Sequence, residues 1–267
     1  MVKDNEFVRS VTFNSEHAPC AILYTKEQLA DIKRFCGADA ADNVRSVLCV
    51  DRTFNVSSLF LTVTVFKNMS VVRSNTRRPP IFLHGDGAFV TYLNFFTSLR
   101  GALDSDVNAT ELQMLDGIVT SSDEEAALVK ALRVAFPSSQ HLFCVLHCRD
   151  NVRDHLTKMG VTQNVREEII QSLFGANGLA VSTDESVFED RRASVLQYVR
   201  QYCPGAEEYV DCRIIPKLLN NCTLWRAPWL GPQRWTNNAC ESANNIIKLA
   251  IDWKPARLTD LVRHVPT

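Results

Sequence analysis

The chain has 267 residues, of which 46% are hydrophobic and 22% are charged. This length and composition suit one large or two small globular domains with a buried core, and they exclude a disordered or fibrous protein. The longest apolar run, residues 57–66, is interrupted by threonines and falls well short of the roughly 18 residues that a membrane-spanning helix needs. We therefore expect no membrane partner.

Charge is unevenly distributed along the chain, although the net charge is only −1 and the pI is near 6.6. From Arg213 to the end there are eight Lys or Arg and three acidic residues, a net of +5, whereas residues 100–136 hold three basic and seven acidic residues, a net of −4. A solvated surface explains both segments. The alternative is a basic C-terminal face that meets phosphates.

The nine cysteines are expected to be thiols. The N-terminus lacks the apolar core of a signal peptide, which favours a reducing compartment, and the odd count with scattered spacing argues against a disulfide framework. Cys144, His147 and Cys148 offer part of a zinc site, for which core packing of Cys144 is the alternative.

The first half of the chain predicts three strands and two helices. An extended stretch, APCAILYT, precedes a helix, KEQLADIKRFC, for which Thr25 is the N-cap. Residues 46–54 and 59–66 predict neighbouring strands, because both are rich in Val, Leu, Phe and Thr and a polar turn separates them. Residues 79–85 predict a third strand of this sheet, and 88–103 a helix with apolar side chains at helical spacing.

The following segment predicts a return to the same sheet. A fourth strand is expected over 112–121, followed by a helix that a Ser122 and Glu125 capping box opens and Pro137 stops. A fifth strand over 141–146 leads into a polar helix. From about 160 to 230 the pattern becomes helical segments broken by Gly, Asn and Pro, which indicates a mostly helical insertion.

The segment WTNNACESANNIIK, residues 235–248, predicts an amphipathic helix with an unusual polar side. On a helical wheel the polar stripe consists of Glu241, Asn244, Asn245, Lys248 and Asp252. The opposite, apolar side consists of Ala239, Ala243, Ile246, Ile247 and Ala250. An ordinary amphipathic helix explains the apolar side, but it does not explain why the polar side is built from Asn and a lone Glu.

Two further carboxylates lie at positions that need a partner. Asp51 is inside an otherwise apolar strand, where an unpaired carboxylate is costly to desolvate. Asp123 stands where the fourth strand passes into a helix, a place where open sheets collect ligands; a helix-start acid favoured by the macrodipole is the alternative. With Glu241 they supply hard oxygen ligands that suit Mg²⁺ or Mn²⁺, and two such ions activate a water and stabilise a leaving oxygen in phosphodiester cleavage.

Three stretches, taken in order, carry a resemblance to a known family. They are VLCVDRTF with Asp51, TSSDEEAALVKALRVAFPSSQHLFCVLH with Asp123 and the pair Cys144 and His147, and TNNACESANNIIK with Glu241. Together they resemble the catalytic domain of Mutator-like element (MULE) transposases over residues 20–252. The resemblance implies a ribonuclease H-like α/β fold, a mixed five-stranded sheet flanked by helices, with a mostly α-helical insertion before the last catalytic helix.

The resemblance also implies a function, that of a DDE transposase. Asp51, Asp123 and Glu241 are then the catalytic residues and the ligands of two Mg²⁺ or Mn²⁺ ions. The enzyme would cleave DNA strands at transposon ends and join them to target DNA in the nucleus. Its partners would be double-stranded DNA, as terminal inverted repeats and target, and further copies of itself in a homo-oligomer.

The same reading divides the chain into four parts. Residues 1–45 are a lead-in segment, 46–159 the first part of the core, 160–232 the helical insertion, and 233–267 the C-terminal part of the core that carries Glu241. Cys144 and His147 are a structural signature in this family. Candidate DNA contacts are basic, aromatic or amide side chains: Arg226, Arg234, Trp235, Asn244, Asn245 and Lys248.

Two departures from the family pattern leave an alternative open. TSSDEE replaces the more usual Thr-Asp-Gly setting of the second Asp, and Asp86 in FLHGDGAF is a competing acid. Trp225, Trp229 and Trp235 could stack on an unpaired base, and packing in a core is the alternative. Arg149, Arg153 and Lys158 either follow a DNA backbone or face water. The alternative function is a domesticated, catalytically inactive DNA-binding or interaction protein.

Overall fold

The computed structural model describes residues 7–13, 18–37, 46–53, 59–67, 76–77, 80–105, 117–221, 225 and 235–254. The chain forms two compact units. The first comprises Met1–His141 with Asn237–Thr267, and the second comprises Leu142–Thr236, within which the predicted insertion falls. Among the described helices, none is both long and apolar enough to cross a membrane.

In the described residues, eight strands form one mixed sheet, three more than the five predicted, because β1 and β2 of the predicted lead-in segment and the short β5 also pair into it. They are β1 (Val8–Thr12), β2 (Cys20–Leu23), β3 (Val47–Thr53), β4 (Phe60–Lys67), β5 (Thr76–Arg77), β6 (Ile81–His84), β7 (Val119–Ser122) and β8 (His141–Phe143). Their order across the sheet is β1-β2-β6-β4-β3-β7-β8, with the short β5 paired to β4. β3 runs antiparallel to β4 and parallel to β7, so the sheet is mixed at its centre.

The helices divide between the two units. Those of the first unit are α1 (Lys26–Cys36), α2 (Phe89–Asp104), α3 (Ala126–Ala135) and α9 (Asn238–Ala250). Those of the second are α4 (Val145–Lys158), α5 (Gln163–Phe174), α6 (Glu185–Tyr202), α7 (Glu207–Tyr209) and α8 (Ile215–Asn221). A π-helical turn, Val210–Ile214, joins α7 to α8. Short 3₁₀ turns occupy Leu179–Val181 and Pro204–Ala206.

The sheet presents two different faces, because successive side chains of a strand point to opposite sides. Helices α1, α2 and α3 cover the first face with a buried cluster of large apolar side chains that includes Leu48, Phe66, Phe82, Tyr92, Phe95 and Leu128. The second face carries a smaller cluster in which Ile247 of α9 and Ile251 pack against Leu61, Val63 and Leu83. Asp51 and Arg52, adjacent on β3, therefore point to different faces.

Local sequence signals predicted several of these elements. The capping box of α1 is confirmed, since the Thr25 hydroxyl accepts from the Gln28 amide at 3.2 Å and the Gln28 side chain accepts from the Thr25 amide at 2.9 Å. The two strands predicted over 46–54 and 59–66 are confirmed as β3 and β4, paired antiparallel. The predicted helix over 88–103 is confirmed as α2.

Two predicted boundaries were wrong. Ser122 does not cap α3, which begins at Ala126 with Glu125 at its N-cap position. Ser122 is instead a buried residue of β7 whose hydroxyl lies 3.2 Å from His141 Nε2 and donates to the Asp123 carbonyl oxygen at 2.7 Å. The fifth strand is shorter than predicted, because the chain turns into α4 at Val145.

Candidate functional site

Asp51 and Asp123 lie at the same end of two neighbouring parallel strands. In the register of β3 and β7, Cys49 is the partner of Ser121. Asp51 lies two residues further along β3, and Asp123 comes directly after Ser122, the last residue of β7. Because neighbouring strands are about 4.8 Å apart, the backbone that carries Asp123 leaves the sheet beside the strand that carries Asp51. Both side chains are partly exposed.

Helix α9 contacts β3 at the same place. The Asn244 side-chain amide donates to the Asp51 carboxylate at 2.7 Å, and that of Asn237, just before the helix, donates to the Val50 carbonyl oxygen at 3.5 Å. Asn244 is only 6% exposed, and its Oδ1 is buried without a hydrogen-bond partner among the described residues. A buried acceptor oxygen beside a carboxylate is a suitable neighbour for a cation.

The buried side of α9 agrees with the predicted one only in part, at Ala243 and Ile247. It consists of Cys240, Ala243, Asn244, Ile247 and, just past the helix, Ile251. Asn244 was predicted to be on the exposed stripe and is buried, whereas Ile246 was predicted to be buried and is 44% exposed. The helix is rotated from the predicted orientation because the Asn244 amide finds a partner in Asp51, a contact that hydropathy does not encode.

Glu241 lies in the first turn of α9 and is exposed. The preceding residue, Cys240, is fully buried, and the Cys49 thiol of β3 is near enough to influence its thiol. Burial raises the pKa of the Cys240 thiol well above its ordinary value, and the Cys49 thiol and the carboxylates of Asp51 and Glu241 raise it further. The charges of Asp51 and Glu241 therefore both act on one buried sulfur atom.

The three carboxylates do not form a closed metal site as their side chains are placed. Within the parts of the chain that the structure describes, no group of three or more His, Cys, Asp and Glu side chains could hold a metal ion. The side chains are nevertheless oxygen donors of the kind that Mg²⁺ and Mn²⁺ prefer, since Asp51 and Asp123 carry carboxylates and Asn244 carries a buried amide oxygen. Convergence of Glu241 on the two aspartates stays a prediction.

A polar cluster on the first face was not predicted from the sequence. The Arg52 guanidinium contacts the Glu125 carboxylate at 3.1 Å, and the Tyr92 hydroxyl donates to the same carboxylate oxygen at 3.0 Å. Nearby, His84 Nε2 lies 2.8 Å from the Thr62 hydroxyl. The sequence did contain a signal for this cluster, because Arg52 directly follows Asp51 and Glu125 comes two residues after Asp123.

Asp86, the competing acid of the sequence analysis, has a structural role. Its carboxylate accepts a hydrogen bond from the Ala88 amide at 3.0 Å, just ahead of α2. Burial acts to raise the pKa of Asp86, but the Thr91 side chain, the Ala88 amide and the nearby His84 together outweigh it, so that the pKa is below its ordinary value. Asp86 is a turn residue at the start of α2.

Several candidate DNA contacts can now be placed. Arg226 and Arg234 lie outside the described residues. Asn245 is exposed on α9, and the ammonium of Lys248, which is partly exposed, lies 5.8 Å from the centre of the Trp253 ring. Asn244 is buried against Asp51 and does not face solvent. Trp235 is 7% exposed, which favours packing over base stacking.

The second unit holds the remaining sequence candidates. Cys144 is fully buried and occupies the N-cap position of α4, which agrees with core packing, while His147 is partly exposed on that helix. Arg149 is paired with Asp150 at 2.9 Å, and Arg153 with Asp150 and Glu167. Both arginines are therefore already engaged in ion pairs within the second unit.

Comparison with known protein families finds no matching family model, and comparison with curated proteins finds no match either. The functional conclusion therefore depends on the site itself.

Proposed function

We propose that this chain is a metal-dependent DNA strand-cleaving and strand-joining domain of the DDE type, similar to that of MULE transposases, with a ribonuclease H-like core. The observation that supports the proposal is that Asp51 on β3 and Asp123, directly after β7, belong to neighbouring parallel strands, and that α9, with Glu241 in its first turn, packs against β3. The proposal includes duplex DNA as the substrate, a nuclear location and a homo-oligomeric state.

The order of elements supports this proposal. After β1, β2 and α1, the strands β3, β4 and β6, with the short β5 between the last two, precede α2, and β7, α3 and β8 follow in alternation before the helical unit and α9. This is the order that the resemblance implies, with Asp51 on a central strand and Glu241 on a helix packed against the sheet. The amino-terminal end of α9, the positive end of its dipole, lies near Val50 and favours negative charge at this edge.

Each residue of the site has a chemical task under this proposal. Asp51 and Asp123 would hold the metal ions, with Glu241 completing the donor set from α9. Bound Mg²⁺ or Mn²⁺ supplies an activated oxygen nucleophile and stabilises the leaving oxygen at phosphorus. Asn244 orients the Asp51 carboxylate through its amide, which fixes one metal ligand before the ion arrives.

The test compares isosteric amide variants in a nicking and joining assay on supercoiled and linear duplex DNA with Mn²⁺. We expect Asp51→Asn, Asp123→Asn and Glu241→Gln each to lose at least about 100-fold in rate, because each removes a metal ligand. The matched control is Asp86→Asn, which keeps the acceptor for the Ala88 amide and should cleave at the wild-type rate. Wild-type rates in Asp51→Asn would contradict the proposal and favour the inactive interaction protein.

A further inference from the structure

Arg52 and Glu125 connect the backbone segments that carry the two aspartates. Arg52 directly follows Asp51 on β3, and Glu125 comes two residues after Asp123 at the start of α3. Their side chains meet at 3.1 Å on the first face of the sheet, away from the face to which Asp51 points. The ion pair thus joins the end of β3 to the β7–α3 connection without occupying the space between the aspartates.

The pair is held from several directions. The Arg52 guanidinium lies 5.1 Å from the centre of the Phe60 ring, and the Tyr92 hydroxyl donates to Glu125. The side chains of Arg52 and Glu125 are only 20% and 18% exposed. A partly buried pair with several fixed neighbours keeps its geometry better than a solvated surface pair.

Gly87 leaves the space that the guanidinium needs. A Cβ atom at this position would come within 2.2 Å of Arg52 Nη1 and 3.2 Å of a Glu125 carboxylate oxygen. Any larger residue at position 87 therefore has to displace the end of the arginine side chain. The loop between β6 and α2, which contains Gly87, therefore contributes to the geometry of the Arg52–Glu125 pair.

We propose that the Arg52–Glu125 ion pair, with Tyr92 and Gly87 around it, is a positioning device that sets the spacing of Asp51 and Asp123 and so determines affinity for a divalent cation. The inference rests on the proposed function only in taking these two aspartates as metal ligands. Hydrogen bonds within β3 and β7 fix the strands up to Ser122, but Asp123 lies beyond the end of β7 and needs a further tie. Glu125 provides this tie through Arg52, and its backbone amide also donates to the Asp123 carboxylate at 3.3 Å.

The test measures Mn²⁺ binding to the metal-free full-length chain by titration calorimetry. We expect Glu125→Gln to bind Mn²⁺ about 10-fold more weakly, as is typical when a residue that orients metal ligands is lost. Gly87→Ala should weaken binding in the same direction, because it displaces the guanidinium without changing any charge. The matched control is Asp104→Asn, which breaks the Arg100–Asp104 pair, also partly buried, at the opposite end of α2 from Gly87.

The outcomes separate this inference from the proposed function. Equal Mn²⁺ affinity in wild type, Glu125→Gln and Gly87→Ala would overturn the positioning role, and so would an equal loss in Asp104→Asn, which would indicate general destabilisation. A wild-type chain that binds no Mn²⁺ would overturn it as well. A chain that binds Mn²⁺ through Asp51, shows the expected losses and yet leaves DNA uncut would retain the positioning role and lose the proposed function.

Discussion

His141 illustrates how one buried polar side chain ties two strands together. Its Nδ1 lies 3.0 Å from the Thr120 hydroxyl and its Nε2 lies 3.2 Å from that of Ser122. Burial, together with the positive charge of Arg133, lowers the pKa of His141 to about 3. The imidazole therefore stays neutral in the folded protein at any pH at which the unfolded chain would begin to protonate it.

The pH dependence of stability follows from that difference. Between about pH 6.5 and pH 3 the unfolded state binds a proton at His141 that the folded state does not. The contribution of His141 to the free energy of unfolding is therefore fully present above pH 6.5 and is lost as the pH decreases through this window. The slope for one such group is at most about 1.4 kcal/mol per pH unit. We expect His141→Gln to be less stable at pH 7.5 and to show a shallower decrease towards pH 4.5 in urea unfolding. Parallel curves for the two proteins would contradict the assignment.

At the scale of elements, the sequence predicted what local chemistry determines. The Thr25 capping box and the Val- and Thr-rich runs of β3 and β4 act within a few residues, and they correctly marked α1 and the central strands. The wrong predictions concern residues whose environment is determined by a partner distant in sequence. Ser122 carries the pattern of a capping box but contacts His141, and Asn244 carries the pattern of a surface amide but contacts Asp51.

The same distinction between local signals and partners distant in sequence applies to the candidate site. Asp51 and Asp123 were identified from their places in predicted strands, and β3 and β7 are neighbouring parallel strands in the structure. The pairing of Arg52 with Glu125 and the space at Gly87 could not be predicted, because they depend on how α2 and α3 pack against the sheet. Whether Glu241 joins the aspartates depends on a side-chain rotation on an exposed helix turn, which no spacing in the sequence determines.

The observed orientation of α9 predicts different costs for two adjacent isoleucines. Ile247 is 5% exposed and packs in the second-face cluster, whereas Ile246 is 44% exposed. We expect Ile247→Ala to lower the free energy of unfolding by about 2 to 4 kcal/mol, because it removes buried methyl groups and leaves a cavity. Ile246→Ala should change it by less than about 1 kcal/mol. Equal costs in urea unfolding would show that the helix has the rotation predicted from the helical wheel.

At the scale of the whole molecule, the two faces of the sheet have different tasks. The first face holds the large apolar cluster with α1, α2 and α3, and its polar members, Arg52 and Glu125, are paired. The second face has a smaller cluster and places Asp51 under α9. Stability is therefore expected to come mainly from the first face. The second face can then tolerate neighbouring carboxylates that repel one another in the absence of metal.

This arrangement predicts that metal reverses the stability ranking of wild type and Asp51→Asn. If Asp51 and Asp123 converge as the proposed site requires, they repel each other without metal, so Asp51→Asn, which keeps an acceptor for Asn244, should melt at the wild-type temperature or slightly above it. With Mn²⁺ at about 100 times its dissociation constant, preferential binding to the folded state stabilises the wild type by about 2.7 kcal/mol, or roughly 5 to 10 °C for a chain of this size. Asp51→Asn should gain much less, and Asp86→Asn as much as the wild type. The measurement is a set of melting curves in EDTA and in Mn²⁺. An equal gain in all three proteins would place the ion elsewhere and remove the metal from the candidate site.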